Sequence, residues 1–230
     1  MPRLINQTGQ PPDKFDYDCC RLERDGYLSI YSFGLRGRDK RYDLMYRRDT
    51  IVVMPVNFAE RKVYMIEQPR YLRAFVENDA GRAALGGLRR SPPSPSATEG
   101  HSGEVDFEIR TDDLMTLEFP AGVIDEGETA IETAMRELRE ETGLIVPVDA
   151  FEKVAGYYPS VGGSTEYVTA FIARVDDRTA LERPVGDGHE LIKTWLMSWD
   201  EAFGFMDAGK IQTVSCLLLM KELKLRSLKA

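Results

Sequence analysis

Histidine is almost missing from this chain and cysteine is scarce: two and three residues among 230. Cys19 and Cys20 are adjacent, Cys216 is remote, and none stands at a metal-ligand spacing. With only His101 and His189, neither a histidine-rich zinc site nor a Ser-His-Asp triad is expected. No apolar run reaches membrane-spanning length, and residues 1–20 lack the core of a signal peptide, so the expected compartment is the cytoplasm. Basic charge is short as well. Thirty Lys and Arg against 38 Asp and Glu leave a net charge of -8, which argues against a nucleic-acid partner or an anionic-membrane surface. No internal repeat, helix-turn-helix or basic patch is visible.

What remains is ordinary for a soluble enzyme-sized chain: 43% hydrophobic and 30% charged, enough for one large domain or a core domain with an appendage. The first 15 residues are polar and punctuated by Pro and Gly, and read as a loose arm. Short strands are expected across 20–46, with a turn at Gly37-Arg38-Asp39-Lys40. Thr50–Asn57 and 62–67 form a hairpin around Phe58-Ala59-Glu60-Arg61, and 105–109 and 115–119 give two further strands. Beyond residue 150 the pattern predicts a strand pair at 151–158 and 166–175, a strand at 194–199, and helices at 200–208 and 213–225. Residues 78–103, rich in Gly, Ser, Pro and Ala, read as a flexible insertion: a surface loop, or a mobile lid or partner contact. The expected division is an arm with accessory strands at 1–48 and a main domain at 49–230.

The chemistry concentrates in GVIDEGETAIETAMRELREETGL, from Gly122 to Leu144. Residues 129–142 contain no Gly or Pro, and Ala130, Ile131, Ala134, Met135 and Leu138 recur at helical spacing on one face. Gly143 stands where a helix needs a left-handed residue to stop. Glu137 and Glu141 are four residues apart, hence on one face, with Glu140 beside them. Carboxylates in the last turn repel one another and oppose the helix dipole, so positive charge must gather there. Arg136 and Arg139 are expected to supply part of it and a hard divalent cation the rest. An acidic helix by itself reads as a solvated face. The preceding 121–127 stretch, read as a loop with glycines at a strand-to-helix handover, shifts the reading toward a metal site.

This stretch fits G-x5-E-x7-R-E-U-x-E-E-x-G-U at every fixed position, where U is a bulky aliphatic, through Gly122, Glu128, Arg136, Glu137, Leu138, Glu140, Glu141, Gly143 and Leu144. It is identified as a Nudix box, whose resemblance implies a metal-dependent hydrolase of nucleoside diphosphates linked to another group. The implied fold is the Nudix α/β/α sandwich, a mixed curved sheet between helices, with an N-terminal antiparallel strand extension. Outside the box, four segments resemble the branch that cleaves ADP-ribose and sugar nucleotides. They are Ile66-Glu67-Gln68-Pro69-Arg70, Leu117-Glu118-Phe119-Pro120-Ala121-Gly122, Tyr158 through Glu166, and Asp200-Glu201-Ala202 followed by Gly209-Lys210-Ile211. Pro69 departs from the aromatic or aliphatic residue common there, and Val161 stands where the branch has glycine.

The resemblance implies Glu137, Glu140 and Glu141, with the Ala121 carbonyl, as ligands of Mg2+ or Mn2+. Arg136 orients a box glutamate and Glu128 supports it. Glu166 is the candidate general base, and it joins Glu141, Glu137 and Arg136 as the catalytic set. Arg70 is the phosphate clamp, and Glu118, Ser160 and Gly162 complete the substrate contacts. The implied substrate is ADP-ribose, giving AMP and ribose 5-phosphate. Another sugar nucleotide (GDP-mannose or ADP-glucose) and a non-hydrolytic nucleotide sensor are the alternatives. The N-terminal strands resemble an element that pairs two subunits, which implies a homodimer; a sheet capping its own chain is the other reading.

Overall fold

The computed structural model describes residues 17–24, 29–35, 41–71, 73, 79, 82, 114–182 and 191–229. They fall in two compact units: Met1–Thr50 with Gly156–Val168, and Ile51–Ala155 with Thr169–Ala230. The expected arm, the 37–40 turn, the 105–109 strand and, apart from Asp79 and Arg82, the 78–103 insertion lie outside the described residues. No helix among the described residues is long and apolar enough to cross a membrane.

The first unit holds an antiparallel sheet of β1 (Tyr17–Arg24), β2 (Ser29–Leu35) and β3 (Arg41–Tyr46) in that order. Aromatic pairs reinforce its last two strands: Phe33 stacks on Tyr42 at 5.5 Å and Tyr31 meets Tyr46 edge-on at 6.4 Å. The turn after residue 158 is tied to β3, with Met45 bridged in parallel to Ser164.

The second unit is built on β4 (Thr50–Asn57), β5 (Lys62–Pro69), β6 (Met115–Glu118), β7 (Ala121–Val123), β9 (Phe151–Tyr157), β10 (Val168–Arg174) and β12 (Lys193–Ser198). The central path runs β12-β5-β4-β10-β9, with β6 on β5 and β7 on β4. β4 and β5 form the expected antiparallel hairpin. β4 and β10 run the same way: Thr50 donates to the Tyr167 carbonyl at 3.0 Å and Val175 to that of Val56 at 2.8 Å. The sheet is therefore mixed. The short β8 (Leu144–Ile145) pairs with β11 (Ala180–Leu181) apart from it.

Alternation along β4 sends its apolar residues to both faces, and both are covered. Ile51 and Val53 pack on Ala134 and Leu138 of α1 (Ala130–Thr142), together with Phe171 and Ala173. Fully burying a side chain such as Leu138 contributes about 1.5–3 kcal/mol. The opposite face carries Met54, Met65 and Val63, all buried; α2 (Trp199–Asp207) meets β5 and β12, and α3 (Val214–Ser227) meets α2. There the Phe119 N–H donates to the Cys216 Sγ at 3.1 Å, and desolvation pushes the buried thiol up to about 12. The result is a mixed sheet between helical layers, with an N-terminal antiparallel extension.

Three of the differences from the sequence reading have a local cause. Ala121–Val123 is a strand, not a loop, because it pairs with β4. The strand expected at 166 begins at Val168; Glu166 remains in the turn segment because its N–H bonds locally to the Ser164 hydroxyl at 3.2 Å. Trp199 opens a helix rather than closing a strand, since Ser198 and Glu201 form a capping box around it.

Candidate functional site

α1 is framed by its ends. Thr129 accepts from the Glu132 N–H while Glu132 reaches back to Thr129, and Gly143 stops the helix at φ 76° with its N–H on the Arg139 carbonyl at 2.8 Å. Between these caps the helix buries Ala134 and Leu138 against the sheet and lays its acidic side along β7. The Ala121 N–H donates to Glu141 Oε2 at 3.1 Å, and Glu141 is only 6% exposed. Glu137 presses on the next residue: a side chain at Gly122 would collide with its carboxylate. Glycine is thus required there by close approach.

Arg136 is the local hub. Its Nε and Nη2 each reach Glu128 at 3.0 Å, and its Nη1 bridges Glu137 at 2.8 Å and Glu140 at 3.2 Å. Nη2 also lies 3.7 Å from Asp125. Hydrogen bonds from Arg136, then from the Thr133 hydroxyl at 2.8 Å, hold the Glu128 carboxyl down at about 2. The same bond to Glu128 raises the Arg136 pKa further. Arg139, expected to share this compensation, instead pairs with Glu182 at 2.8 Å, since it points away from the cluster toward the segment after β11. Among the described residues, no three acidic, cysteine or histidine side chains already converge as a metal cage.

Arg70 and Glu118 form a second polar feature of the same unit. The guanidinium grips the carboxylate twice, at 2.9 and 2.6 Å. Glu118 is 7% exposed and Arg70 46%, so a buried anion presents a half-open cation. The Arg70 N–H is fixed on the Leu114 carbonyl at 2.9 Å, beyond the β5–β6 ladder.

In the first unit, Ser160 and Gly162 are exposed in a turn where the Ser160 carbonyl accepts from Gly163 at 3.1 Å and Ser164 at 2.9 Å. Glu166 follows, 12% exposed, with Arg47 at 3.1 Å on one oxygen and the Thr50 hydroxyl at 3.0 Å on the other. Thr165 is tied to the Arg47 backbone through both its hydroxyl contacts, each 2.9 Å. The structure therefore brings the box residues together, joins Arg70 to Glu118, and sets Ser160, Gly162 and Glu166 on one turn segment.

Several supporting residues escaped the sequence reading. Arg47 and Thr50 hold Glu166, Thr133 holds Glu128, and Thr194 donates to the Glu141 carbonyl at 3.1 Å. Only Thr133, on the box helix itself, was accessible to spacing arguments; the others arrive from distant segments.

Residues 104–214 match the model of the NUDIX domain. Over 110 residues it is 33% identical to the ADP-ribose pyrophosphatase of Escherichia coli K12, covering 47% of this chain and 52% of that protein. The GDP-mannose pyrophosphatase of Cronobacter sakazakii is 35% identical over 116 residues, 50% of this chain and 59% of its own length. The chain thus spans only about half the length of these curated relatives. The uridine diphosphate glucose pyrophosphatase of Mus musculus is 26% identical over 187 residues, 79% of this chain and 80% of that one. A crystal structure of an ADP compounds hydrolase superposes with a TM-score of 0.63 at 16% identity, covering 94% of this chain and 96% of the other, which shows the fold.

Proposed function

We propose that this chain is a Nudix pyrophosphohydrolase that cleaves the diphosphate of ADP-ribose to AMP and ribose 5-phosphate. The observation that carries the reading is the gathering of carboxylates at the box. Asp125, Glu128, Glu137 and Glu140 converge on the guanidinium of Arg136, and Glu141 stands one turn beyond Glu137 on the same helix. Hard oxygen donors so gathered fit a hard divalent cation. Glu137, Glu140 and Glu141, with the Ala121 carbonyl, would hold Mg2+ or Mn2+, which supplies charge neutralisation at the diphosphate and a more acidic water.

The chain's own groups do the rest. Arg136 holds Glu137 and Glu140 side by side. Arg70 takes a phosphate oxygen while Glu118 fixes the plane of its guanidinium, and Ser160 and Gly162 are assigned to substrate binding. Glu166 receives the proton of the attacking water as the new phosphorus–oxygen bond forms and the bridging one breaks. Arg47 and Thr50 keep its carboxylate oriented for that transfer. The two relatives acting on GDP-mannose and uridine diphosphate glucose support the same chemistry on another sugar nucleotide, because the box addresses the diphosphate and not the sugar. A homodimer joined through the N-terminal sheet, acting in the cytoplasm, completes the proposal.

The test is phosphate release through a coupled phosphatase from ADP-ribose, ADP-glucose, GDP-mannose, UDP-glucose and a nucleoside triphosphate, with Mg2+ and with chelator. ADP-ribose is expected to be the best substrate. Glu141→Gln should lower turnover on the order of a hundredfold or more, while circular dichroism stays native. Near-wild-type rates in this variant would sink the metal assignment, and tight binding without turnover would mean a sensor.

A further inference from the structure

The second unit contains a cavity of about 690 Å³ that the proposed chemistry does not use. Its walls include Trp195 and Leu117 from the sheet, Phe205 from α2, and Lys210 from the turn after that helix. It opens to solvent, and its size falls within the roughly 300–1,000 Å³ of small-molecule sites.

Most of the sheet residues that line the cavity lie on the face opposite the box. Thr194 points to α1, since its hydroxyl reaches the Glu141 carbonyl. Its neighbour Trp195 points the other way, and the indole N–H donates to Glu67 at 3.3 Å, so Glu67 shares that face. Lys193 pairs with the same carboxylate at 3.4 Å. The strand that carries Trp195 is the edge of the central path, and the indole is 45% exposed, an open aromatic face fixed by its own hydrogen bond.

The charges around the cavity are not equally available. Arg73 is committed to the Met115 carbonyl at 2.6 Å, and Glu201 to the cap of α2, where it accepts from Ser198 at 2.8 Å. Lys210 is different. Its ammonium sits 5.0 Å from the centre of the Phe205 ring and is in no ion pair among the described residues. Gly209, at φ 70°, turns the chain at the end of α2 and so delivers Lys210 to the cavity wall.

An aromatic surface on one wall, an apolar lining, a carboxylate that accepts N–H donors and an unpaired ammonium define a ligand. We propose that this cavity binds a planar N-heterocycle carrying an anionic group, the chemistry of a nucleoside monophosphate, at a site separate from the box. Base stacking on Trp195 and the anion on Lys210 are its two anchors. The inference does not depend on the hydrolytic reading.

The experiment is isothermal titration of the full chain with AMP, adenosine and ribose 5-phosphate, in chelator so that no cation bridges phosphate to the box. Wild type and Glu141→Gln are expected to bind AMP alike. Trp195→Leu should weaken AMP roughly tenfold or more. Lys210→Ala should weaken AMP but leave adenosine unchanged, and ribose 5-phosphate should bind poorly throughout. Both substituted side chains are solvent-facing, and circular dichroism would verify their folds. Absence of AMP binding to wild type overturns the proposal, as does binding lost in Glu141→Gln yet retained in Trp195→Leu and Lys210→Ala.

Discussion

At the scale of single residues, the box is an arrangement of close approaches as much as of charges. Gly122 has no side chain because Glu137 occupies the space one would need. Gly122→Ala should therefore displace that carboxylate and cut turnover about tenfold or more, with a smaller change in thermal midpoint, the split expected when an aligned group moves by about an ångström. Glu128 offers a pH test. Its folded carboxyl titrates at about 2 against an ordinary 4.5, so its stabilising contribution is complete above 4.5 and disappears as pH falls toward 2. Glu128→Gln should lower the midpoint most at neutral pH, and the gap from wild type should narrow between those two values. A gap independent of pH would mean that the Arg136 contact contributes nothing. The identity of the box residues was legible because their spacing is fixed. Arg47 as the partner of Glu166 was not, since an arginine more than a hundred positions away leaves no local mark.

Among the elements, α1 was the most readable, because apolar periodicity, an uninterrupted run and a terminal glycine all agree. The signature Thr129-Ala130-Ile131-Glu132 was there to be read as well, and Ser198-Trp199-Asp200-Glu201 repeats it at the start of α2. Applied to the second, it would have moved Trp199 from strand to helix. The three-residue β7 had no such signal: glycine next to a turn reads as loop, and only pairing with β4 makes it a strand. The caps give a test at this scale. Thr129→Ala should cost about 1 kcal/mol, and Gly143→Ala about 1–2 kcal/mol because its φ of 76° suits no side chain. Urea unfolding of both variants checks these values, and equal midpoints for all three proteins would refute the capping account.

For the whole molecule, patterning read the hairpin, the β9–β10 neighbours and the two closing helices, whereas strand order depended on pairings between distant segments. The division into units also crossed the sequence: Gly156–Val168 belongs with the N-terminal strands although it lies after the box. A boundary near residue 48 was the natural linear reading, and no composition shift marks the return. The proposed dimer belongs to this scale. Sedimentation should give about twice 26.0 kDa at micromolar concentration, and a single-chain mass at every concentration would leave the N-terminal sheet as a cap on its own chain.

The thiol of Cys216, sealed beneath the far face and kept protonated well above neutral pH, is chemically silent while the molecule is closed. Oxidants and alkylating reagents meet it only when α3 parts from the strand end that Phe119 anchors. That cysteine is therefore a built-in counter of opening events, spent once per molecule and blind to everything that happens at the surface.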